Sequence, residues 1–208
     1  MESALCDGAG GPGLTLIETL GWDGAEFPRL ARHLARLSNS ATRLGWPCDP
    51  AAAETALRRA APKEPARLRL TLDASGAIAV HASALPQAKP LWTLTLAATR
   101  LISGDPWLTL KSSRRTAYDA ACAALPPGVD EALLLNERDE VCDGTITTLF
   151  FDRGDGMRTP PLTCGLLPGV LRAELAVHEE ILLARDLARV RLWVGNSLRG
   201  MIPAVWAG

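Results

Sequence analysis

The sequence predicts an α+β fold. Strand-like blocks alternate with amphipathic helices, without the regular strand–helix–strand spacing of a doubly wound sheet. With 208 residues, 48% apolar and 22% charged, the chain has the composition of a soluble globular protein that can bury one core or two small ones. The loop SALPQAKP is the predicted boundary between a smaller N-terminal α+β domain, residues 1–87, and a larger C-terminal domain, residues 88–208.

The N-terminal part predicts a strand, two helices and a hairpin. The strand covers residues 14–22. Apolar residues then recur at steps of four and three from Leu30 to Leu44, which predicts an amphipathic helix that ends at Gly45. A second helix is expected over about residues 49–61, and the segment RLRLTLDASGAIAVHASAL predicts two strands joined at Ser75-Gly76.

The C-terminal part predicts further strands and helices. A helix is expected over residues 115–124, a strand over 132–136, and a hairpin in which 147–152 and 157–159 flank a Gly-rich turn. Alternation of side chains from Thr145 to Phe150 predicts a strand directly after Asp143 and Gly144. Pro168-Gly169 then begins a helix, whose first N–H groups suit an anion such as phosphate.

Composition excludes several classes of function. A net charge of -1 gives no support for binding to nucleic acid or to a membrane surface, and no apolar run is long enough to cross a bilayer. The five cysteines are scattered without a CxxC pair and the three histidines are dispersed, so neither a disulfide framework nor a metal site is expected. These observations favour a reducing, cytoplasmic location.

Three features together suggest a cofactor site. Only three lysines occur, and Lys111 alone closes an alternating run, PWLTLK, while Asp143 precedes a strand and Pro168-Gly169 begins a helix. Pyridoxal phosphate (PLP) needs a lysine amine for its Schiff base, an anion beside its pyridine nitrogen and a cradle for its phosphate. No GxGxxG follows a predicted strand, and the fingerprints GxxxxGK[ST], GxSxG and HExxH are absent from the sequence.

Seven segments carry a resemblance to a known family. They are LIETLGWDG, HLARLSNSATRLGWP, RLRLTLDASG, GDPWLTLKSSRRTAYDAA, LLLNERDEVCDGTITTLFFD, MRTPPLTCGLLPGVLRAEL and LWVGNSLRG. In this order they resemble the class IV, fold-type IV PLP enzymes, which include branched-chain and D-amino-acid aminotransferases and 4-amino-4-deoxychorismate lyase. The resemblance implies two α+β domains with the cofactor between them, and a homodimer that completes the site.

The resemblance also implies roles for individual residues. Lys111 matches the lysine that carries PLP and then transfers protons, and Asp143 falls where the family usually has the glutamate that pairs with the pyridine nitrogen. Four positions match groups that bind the cofactor phosphate: Arg36, the backbone N–H groups of Val170 and Leu171, and Ser197.

Substrate contacts are assigned less sharply. Arg69 and Arg199 match positions where relatives bind a substrate carboxylate, although Arg67 lies on the same strand face as Arg69 and the sequence does not choose between them. Tyr118 is interpreted as an ordinary helix-face tyrosine. Two departures from the family stand out: Asp143 is one methylene shorter than glutamate, and the chain is shorter than most relatives, chiefly in the first domain and over residues 177–186.

Three hypotheses for function follow. The KSSRR, NERDEV and NSLRG segments are nearer to the lyase-type members, which implies elimination of pyruvate from 4-amino-4-deoxychorismate to give 4-aminobenzoate for folate biosynthesis. The second hypothesis is an aminotransferase acting on branched-chain or D-amino acids, since one scaffold hosts several chemistries. The third is a noncatalytic relative that keeps the fold. The partner in either enzymatic case is a small amino-acid-like substrate.

Overall fold

The computed structural model describes residues 13–208, which form two units. The first comprises residues 13–87 and 110–114, and the second residues 88–109 and 115–208. The short segment 110–114 joins the first unit because its backbone pairs there: Ile17 N donates to Lys111 O at 2.7 Å, and Ser113 N donates to Thr15 O at 2.8 Å. Lys111, which the sequence analysis placed in the C-terminal domain, therefore lies with the first unit.

The first unit is an antiparallel sheet of three strands with two helices. Its elements are β1 (Thr15–Trp22), α1 (Leu30–Leu44), α2 (Pro50–Ala60), β2 (Ala66–Asp73) and β3 (Ile78–Ser83), with strand order β1-β2-β3. These elements confirm the predicted strand, helices and hairpin.

Local sequence explains these elements. The period-two pattern of β2 buries Leu68, Leu70 and Leu72, which pair across to β1, and leaves the intervening arginines exposed. Helix α1 ends where Gly45 adopts a left-handed conformation with φ 68°, and α2 begins where the Asp49 carboxylate accepts hydrogen bonds from the first free N–H groups.

The second unit is built on a sheet of eight strands. Its strands are β4 (Trp92–Leu101), β5 (Glu131–Asn136), β6 (Val141–Gly144), β7 (Thr148–Asp152), β8 (Met157–Thr159), β9 (His178–Glu179), β10 (Arg191–Asn196) and β11 (Gly200–Trp206). Their order is β6-β5-β4-β11-β10-β7-β8-β9, with parallel pairing of β5 to β4, β4 to β11 and β8 to β9. Two helices complete the unit, α3 (Thr116–Ala123) and α4 (Val170–Leu175). No helix within residues 13–208 combines the length and apolar character that a bilayer crossing requires.

Strand β5 separates two apolar clusters of this unit. Leu133 and Leu135 pack into one cluster, while Ala132 and Leu134 pack into the other. Burial on both faces explains the nearly continuous apolar run of EALLLN. It also buries Glu131, the first residue of the strand, completely.

One prediction about this unit is wrong. The alternation from Thr145 predicted a strand directly after Gly144, but residues 145–147 form a turn that Gly144 N closes with a 2.8 Å hydrogen bond to Thr147 O. Strand β7 begins only at Thr148. The hydroxyls of the turn therefore do not alternate across a sheet, and their actual partner is Glu131.

Candidate active site

Lys111 is held by its main chain. It follows a 3-10 turn at Pro106–Thr109 and the buried Leu110, and its carbonyl accepts from Ile17 N on β1. A β-bridge between Leu16 and Ser112 continues this pairing. Backbone hydrogen bonds thus tie the segment to β1, and the lysine side chain, which is partly exposed, extends from this paired backbone.

Arg36 is anchored by a buried carboxylate. Glu18 lies on the leucine face of β1, and its side chain is 3% exposed. It accepts from Arg36 Nε at 2.8 Å and Nη2 at 2.6 Å, and lies 2.6 Å from His33 Nδ1. His33 and Arg36 are three residues apart on α1, which places both side chains on one helix face. Glu18 therefore fixes the plane of the Arg36 guanidinium.

This arrangement predicts a loss of stability in acid. Burial by itself raises the pKa of Glu18, but the charge and hydrogen bonds of Arg36, aided by His33, outweigh it and lower the pKa from 4.5 to about 2. A lowered pKa stabilises the fold fully above pH 4.5, and that contribution disappears as the pH falls toward 2. We expect Glu18→Gln to lower the free energy of unfolding by ~3 kcal/mol at pH 7 and by much less near pH 2.

Urea denaturation at both pH values measures this difference. The matched control is Glu54→Gln, because Glu54 pairs with Arg58 on the exposed face of α2. An exposed pair of this kind contributes only about 0.3–0.5 kcal/mol. An equal cost of Glu18→Gln at both pH values would show that Glu18 does not act as the buried partner of Arg36.

In the second unit, Asp143 lies at the end of β6 and is 5% exposed. Tyr118 of α3 is its neighbour: burial, followed by the negative charge of Asp143, raises the pKa of the Tyr118 hydroxyl. That hydroxyl is buried and makes no hydrogen bond among the described residues. The ring of Tyr118 packs on the core, as expected for a tyrosine on a helix face. Its hydroxyl is a buried polar group close to Asp143.

Glu131 holds the turn that follows Asp143. Its Oε1 accepts from Thr145 N at 2.8 Å and Thr145 Oγ1 at 2.5 Å. Its Oε2 accepts from Thr147 Oγ1 at 2.8 Å and Ile146 N at 3.2 Å. From the other side Arg115 Nη2 donates to Thr145 O at 3.0 Å. The side chains of Glu131 on β5 and Arg115, directly before α3, thus form the hydrogen bonds of this segment in place of the strand pairing that the sequence pattern predicted.

Gly144 is required by the same packing. A Cβ at this position would lie 2.5 Å from Thr147 Oγ1 and 2.7 Å from Glu131 Oε2. We expect Gly144→Ala to lower the free energy of unfolding by ~1–3 kcal/mol, as overpacking of a filled interior does. Gly104→Ala is the matched control, because no atom lies within 4 Å of its Cβ position, and we expect a change below about 0.5 kcal/mol. Equal stability of the two variants would contradict the packing described for the turn.

The predicted phosphate-binding residues of the second unit come together. Helix α4 begins after Gly169 with the buried Val170 and Leu171, and the Leu171 side chain packs so closely on β10 that a Cβ at Gly195 would lie 2.8 Å from Leu171 Cδ2. Ser197 is the first residue after β10. The start of α4 and the turn after β10 are therefore neighbours.

Asn196 shapes that turn. Its Oδ1 accepts from Leu198 N at 3.1 Å and Arg199 N at 2.9 Å, which curves the backbone around Ser197. Its Nδ2 donates to Ile146 O at 3.2 Å, which ties the turn to the segment after Asp143. The sequence analysis missed three residues, Asn196, Glu131 and Glu18. Asn196 and Glu18 lie within quoted segments, and Glu131 lies two residues before one.

The candidate substrate arginines belong to different units. Arg199, in the second unit, has its guanidinium carbon 5.1 Å from the centre of the Trp92 ring. Arg69, in the first unit, is exposed on β2 and pairs across with His81. Arg67 is exposed on the same face, and its Nε donates to Ser83 Oγ at 3.0 Å. The choice between Arg67 and Arg69 stays open.

The groups present fit PLP. The first unit offers the Lys111 amine for the aldehyde and, for phosphate, the Arg36 guanidinium, whose Nε and Nη2 also bind Glu18. The second offers the Asp143 carboxylate for the pyridine nitrogen, together with helix-start N–H groups and a hydroxyl for phosphate. The buried hydroxyl of Tyr118, near Asp143, has no hydrogen-bond partner among the described residues, and a polar group of a bound molecule would supply one.

Comparison with known proteins agrees with this donor set. The sequence profile of the amino-transferase class IV family matches residues 15–205. A Schizosaccharomyces pombe protein, provisionally named an aminodeoxychorismate lyase, is 32% identical over 183 residues, which span 79% of this chain and 76% of the relative. The fold and donor set are those of a PLP enzyme, and the chain belongs to the class IV aminotransferase family.

Solved structures support the same fold. A Mesorhizobium loti chain, provisionally named an amino-acid aminotransferase, has a TM-score of 0.88 and 45% identity, covering 93% of this chain and all of that one. The 4-amino-4-deoxychorismate lyase from Pseudomonas aeruginosa has a TM-score of 0.80 and 23% identity, covering 92% of this chain and 82% of that one. Members of the family are PLP-dependent enzymes, so the predicted cofactor, enzyme class and α+β fold are confirmed.

Proposed function

We propose that the protein is a PLP-dependent lyase that converts 4-amino-4-deoxychorismate into 4-aminobenzoate and pyruvate. The observation that carries this choice is the NSLRG segment, which resembles the lyase-type members and which Asn196 folds into a defined turn bonded to Ile146 O. The relative in Schizosaccharomyces pombe, provisionally named a lyase of this kind, supports the same choice.

Lys111 is assigned the covalent and proton-transfer work. Its amine would hold the cofactor aldehyde. When the substrate amino group replaces the lysine there, Nζ is released as a free amine, and it then takes the proton from the ring carbon that bears the substrate amino group. When bound, PLP supplies the electron sink for that step. The carbon–oxygen bond to the enolpyruvyl group then breaks, the ring becomes aromatic, and the proton is returned to the departing three-carbon unit, which leaves as pyruvate. No second substrate is consumed.

The other residues hold and orient. Asp143 is assigned to the pyridine nitrogen, where a buried carboxylate keeps a proton in place. Arg36, the N–H groups of Val170 and Leu171, and the hydroxyl of Ser197 are assigned to the phosphate. Arg199 or Arg69 is assigned to a substrate carboxylate. Burial of Asp143 excludes water and strengthens its charge–charge interaction with a protonated ring nitrogen.

A second candidate function is favoured by one observation. The Mesorhizobium loti chain, which is 45% identical and fully covered, is provisionally named an amino-acid aminotransferase. An aminotransferase on this scaffold, acting on branched-chain or D-amino acids, would use the same cofactor residues but would require a 2-oxo acid as acceptor. The noncatalytic alternative is not favoured, because members of the matched family are PLP-dependent enzymes.

Two assays on the PLP-loaded protein separate these functions. The first supplies 4-amino-4-deoxychorismate alone and measures 4-aminobenzoate and pyruvate. The second supplies leucine or D-alanine with 2-oxoglutarate and measures glutamate. The lyase proposal predicts equal amounts of the two products in the first assay without any added 2-oxo acid. Glutamate formation in the second assay, with no 4-aminobenzoate in the first, would favour the aminotransferase instead.

A further inference from the structure

Glu131 carries a carboxylate whose hydrogen-bond donors, among the described residues, are all uncharged. It is fully buried at the start of β5. Burying a carboxylate is costly unless hydrogen bonds replace its water. Here the replacement consists of five donors, all uncharged: Ala132 N, Thr145 N, Thr145 Oγ1, Ile146 N and Thr147 Oγ1.

Four of these donors belong to the turn that follows Asp143. The backbone N–H groups of Thr145 and Ile146 donate to different oxygens of the carboxylate. The carboxylate therefore holds two consecutive peptide groups and so fixes the orientation of the turn. An acceptor-only group is needed, because a backbone N–H cannot reverse its role. The flat carboxylate lies directly against Gly144, where it leaves no room for a Cβ.

The turn transmits this constraint in two directions. Gly144 directly follows Asp143 in the chain, so fixing the turn fixes the main chain from which the Asp143 carboxylate extends. On its other side, Asn196 donates to Ile146 O, and a Cβ at Gly169 would lie 2.8 Å from Thr148 Oγ1. The turn, through Ile146, and the first residue of β7 directly after it therefore contact the segments that are assigned to the cofactor phosphate.

We propose that Glu131 is a positioning residue for the cofactor site: its carboxylate clamps the 145–147 turn and thereby orients Asp143. This inference rests on the proposed role of Asp143 at the pyridine nitrogen. It assigns Glu131 no contact with the cofactor or the substrate. Its effect on the reaction should pass through Asp143.

The test uses the PLP-loaded protein with Glu131→Gln, Asp143→Asn and the double variant. Glutamine keeps the shape of the side chain but turns an NH₂ group toward one of the N–H donors. The matched control is Glu140→Gln, since Glu140 is another buried glutamate of this unit and its carboxylate instead binds Asn136 and Arg138. The readouts are kcat/KM for 4-amino-4-deoxychorismate, the PLP dissociation constant, and the pH midpoint of the visible absorbance of the bound cofactor.

We expect Glu131→Gln to lower kcat/KM by about 10- to 100-fold, the scale on which a small misplacement of a reacting group acts. The pH midpoint should move in the same direction as in Asp143→Asn, and Glu140→Gln should leave it unchanged. In the double variant the Glu131 substitution should add little, because its effect is already lost. Thr147→Val, which removes one donor at nearly constant volume, should show a smaller effect in the same direction, and Thr147→Ser should restore it.

Each opposite result has a distinct meaning. A wild-type pH midpoint in folded Glu131→Gln, with a shifted midpoint in Asp143→Asn, overturns the positioning role and leaves the proposed role of Asp143 standing. A full additional effect of Glu131→Gln in the Asp143→Asn background also overturns it. A wild-type midpoint in Asp143→Asn refutes the proposed role of Asp143 itself. If Glu131→Gln does not fold, the Thr147 pair decides the question by the same measurement.

Discussion

Replacing Lys111 by alanine is expected to lower kcat/KM for 4-amino-4-deoxychorismate by at least about a thousandfold. The substitution removes both a covalent anchor and a general base, and general acid–base catalysis alone is worth about 10²–10⁴-fold. The fold should persist, because the segment is held by its backbone through Ile17 N and Ser113 N rather than by the lysine side chain.

The matched controls are the other two lysines. Lys89 lies on the surface in a 2.6 Å salt bridge with Asp130, and Lys63 is exposed in the loop before β2. Alanine at either position should leave kcat/KM within about twofold of the wild type, as surface pairs contribute little. Retention of full activity in Lys111→Ala, measured on protein that has the wild-type circular dichroism spectrum, would mean that the catalytic amine has been misassigned.

Asp143→Asn should have the second-largest effect. Asparagine is nearly the same size but carries no charge, so a protonated pyridine nitrogen would lose a buried counter-charge. Removing one partner of a buried ion pair costs about 3–5 kcal/mol. At about 1.4 kcal/mol per factor of ten, we expect kcat/KM to fall by roughly 10²- to 4 × 10³-fold.

Asp143→Glu tests the length of the side chain rather than its charge. The family usually carries glutamate at this position, but Asp143 is buried and is flanked by Tyr118 and the Glu131 turn. A gain in kcat/KM would show that the shorter acid limits this enzyme, and a loss would show that the surroundings fit aspartate. Wild-type kinetics in Asp143→Asn would contradict the assignment of Asp143, whatever Asp143→Glu shows.

Much of the fold could be predicted from local pattern. The steps of four and three along α1 and the alternation along β2 reflect single faces packed on one core, and Gly45 and Gly76 mark the ends because their φ angles are positive. Lys111 and Asp143 were identified because the surrounding segments resemble a family. Their roles stay predictions, as do the phosphate and substrate assignments.

The missed residues share a physical reason. Glu18 meets Arg36 from a strand 18 residues earlier, and Glu131 meets Thr145 from a strand 14 residues earlier. Such contacts leave no periodicity in the sequence, because they depend on how elements pack. The only local signal is an acid in a strand that is otherwise apolar, as in LIETL and EALLLN. Such acids are rarely buried without a partner, so an acid in an otherwise apolar strand predicts a buried polar contact.

Two of the buried glutamates, Glu18 and Glu131, play parallel parts. Glu18 orients the arginine assigned to the phosphate, and Glu131 orients the turn beside the aspartate assigned to the ring nitrogen. In each case a carboxylate on a core strand holds a group from a different element. For Glu18 that group is the Arg36 side chain of α1, and for Glu131 it is the backbone of the 145–147 turn. A site built in this way depends on side chains that never touch the cofactor.

The most direct test of the central claim, that Lys111 carries the cofactor, is chemical. The PLP-loaded protein is reduced with borohydride, digested, and its peptides are weighed by mass spectrometry. Only three lysines and the amino terminus can be labelled, which makes the outcome unambiguous. The account predicts one phosphopyridoxyl group per chain, on the peptide that contains Lys111 and absent from Lys111→Ala. A label on Lys63, Lys89 or the amino terminus, with Lys111 unmodified, would contradict it.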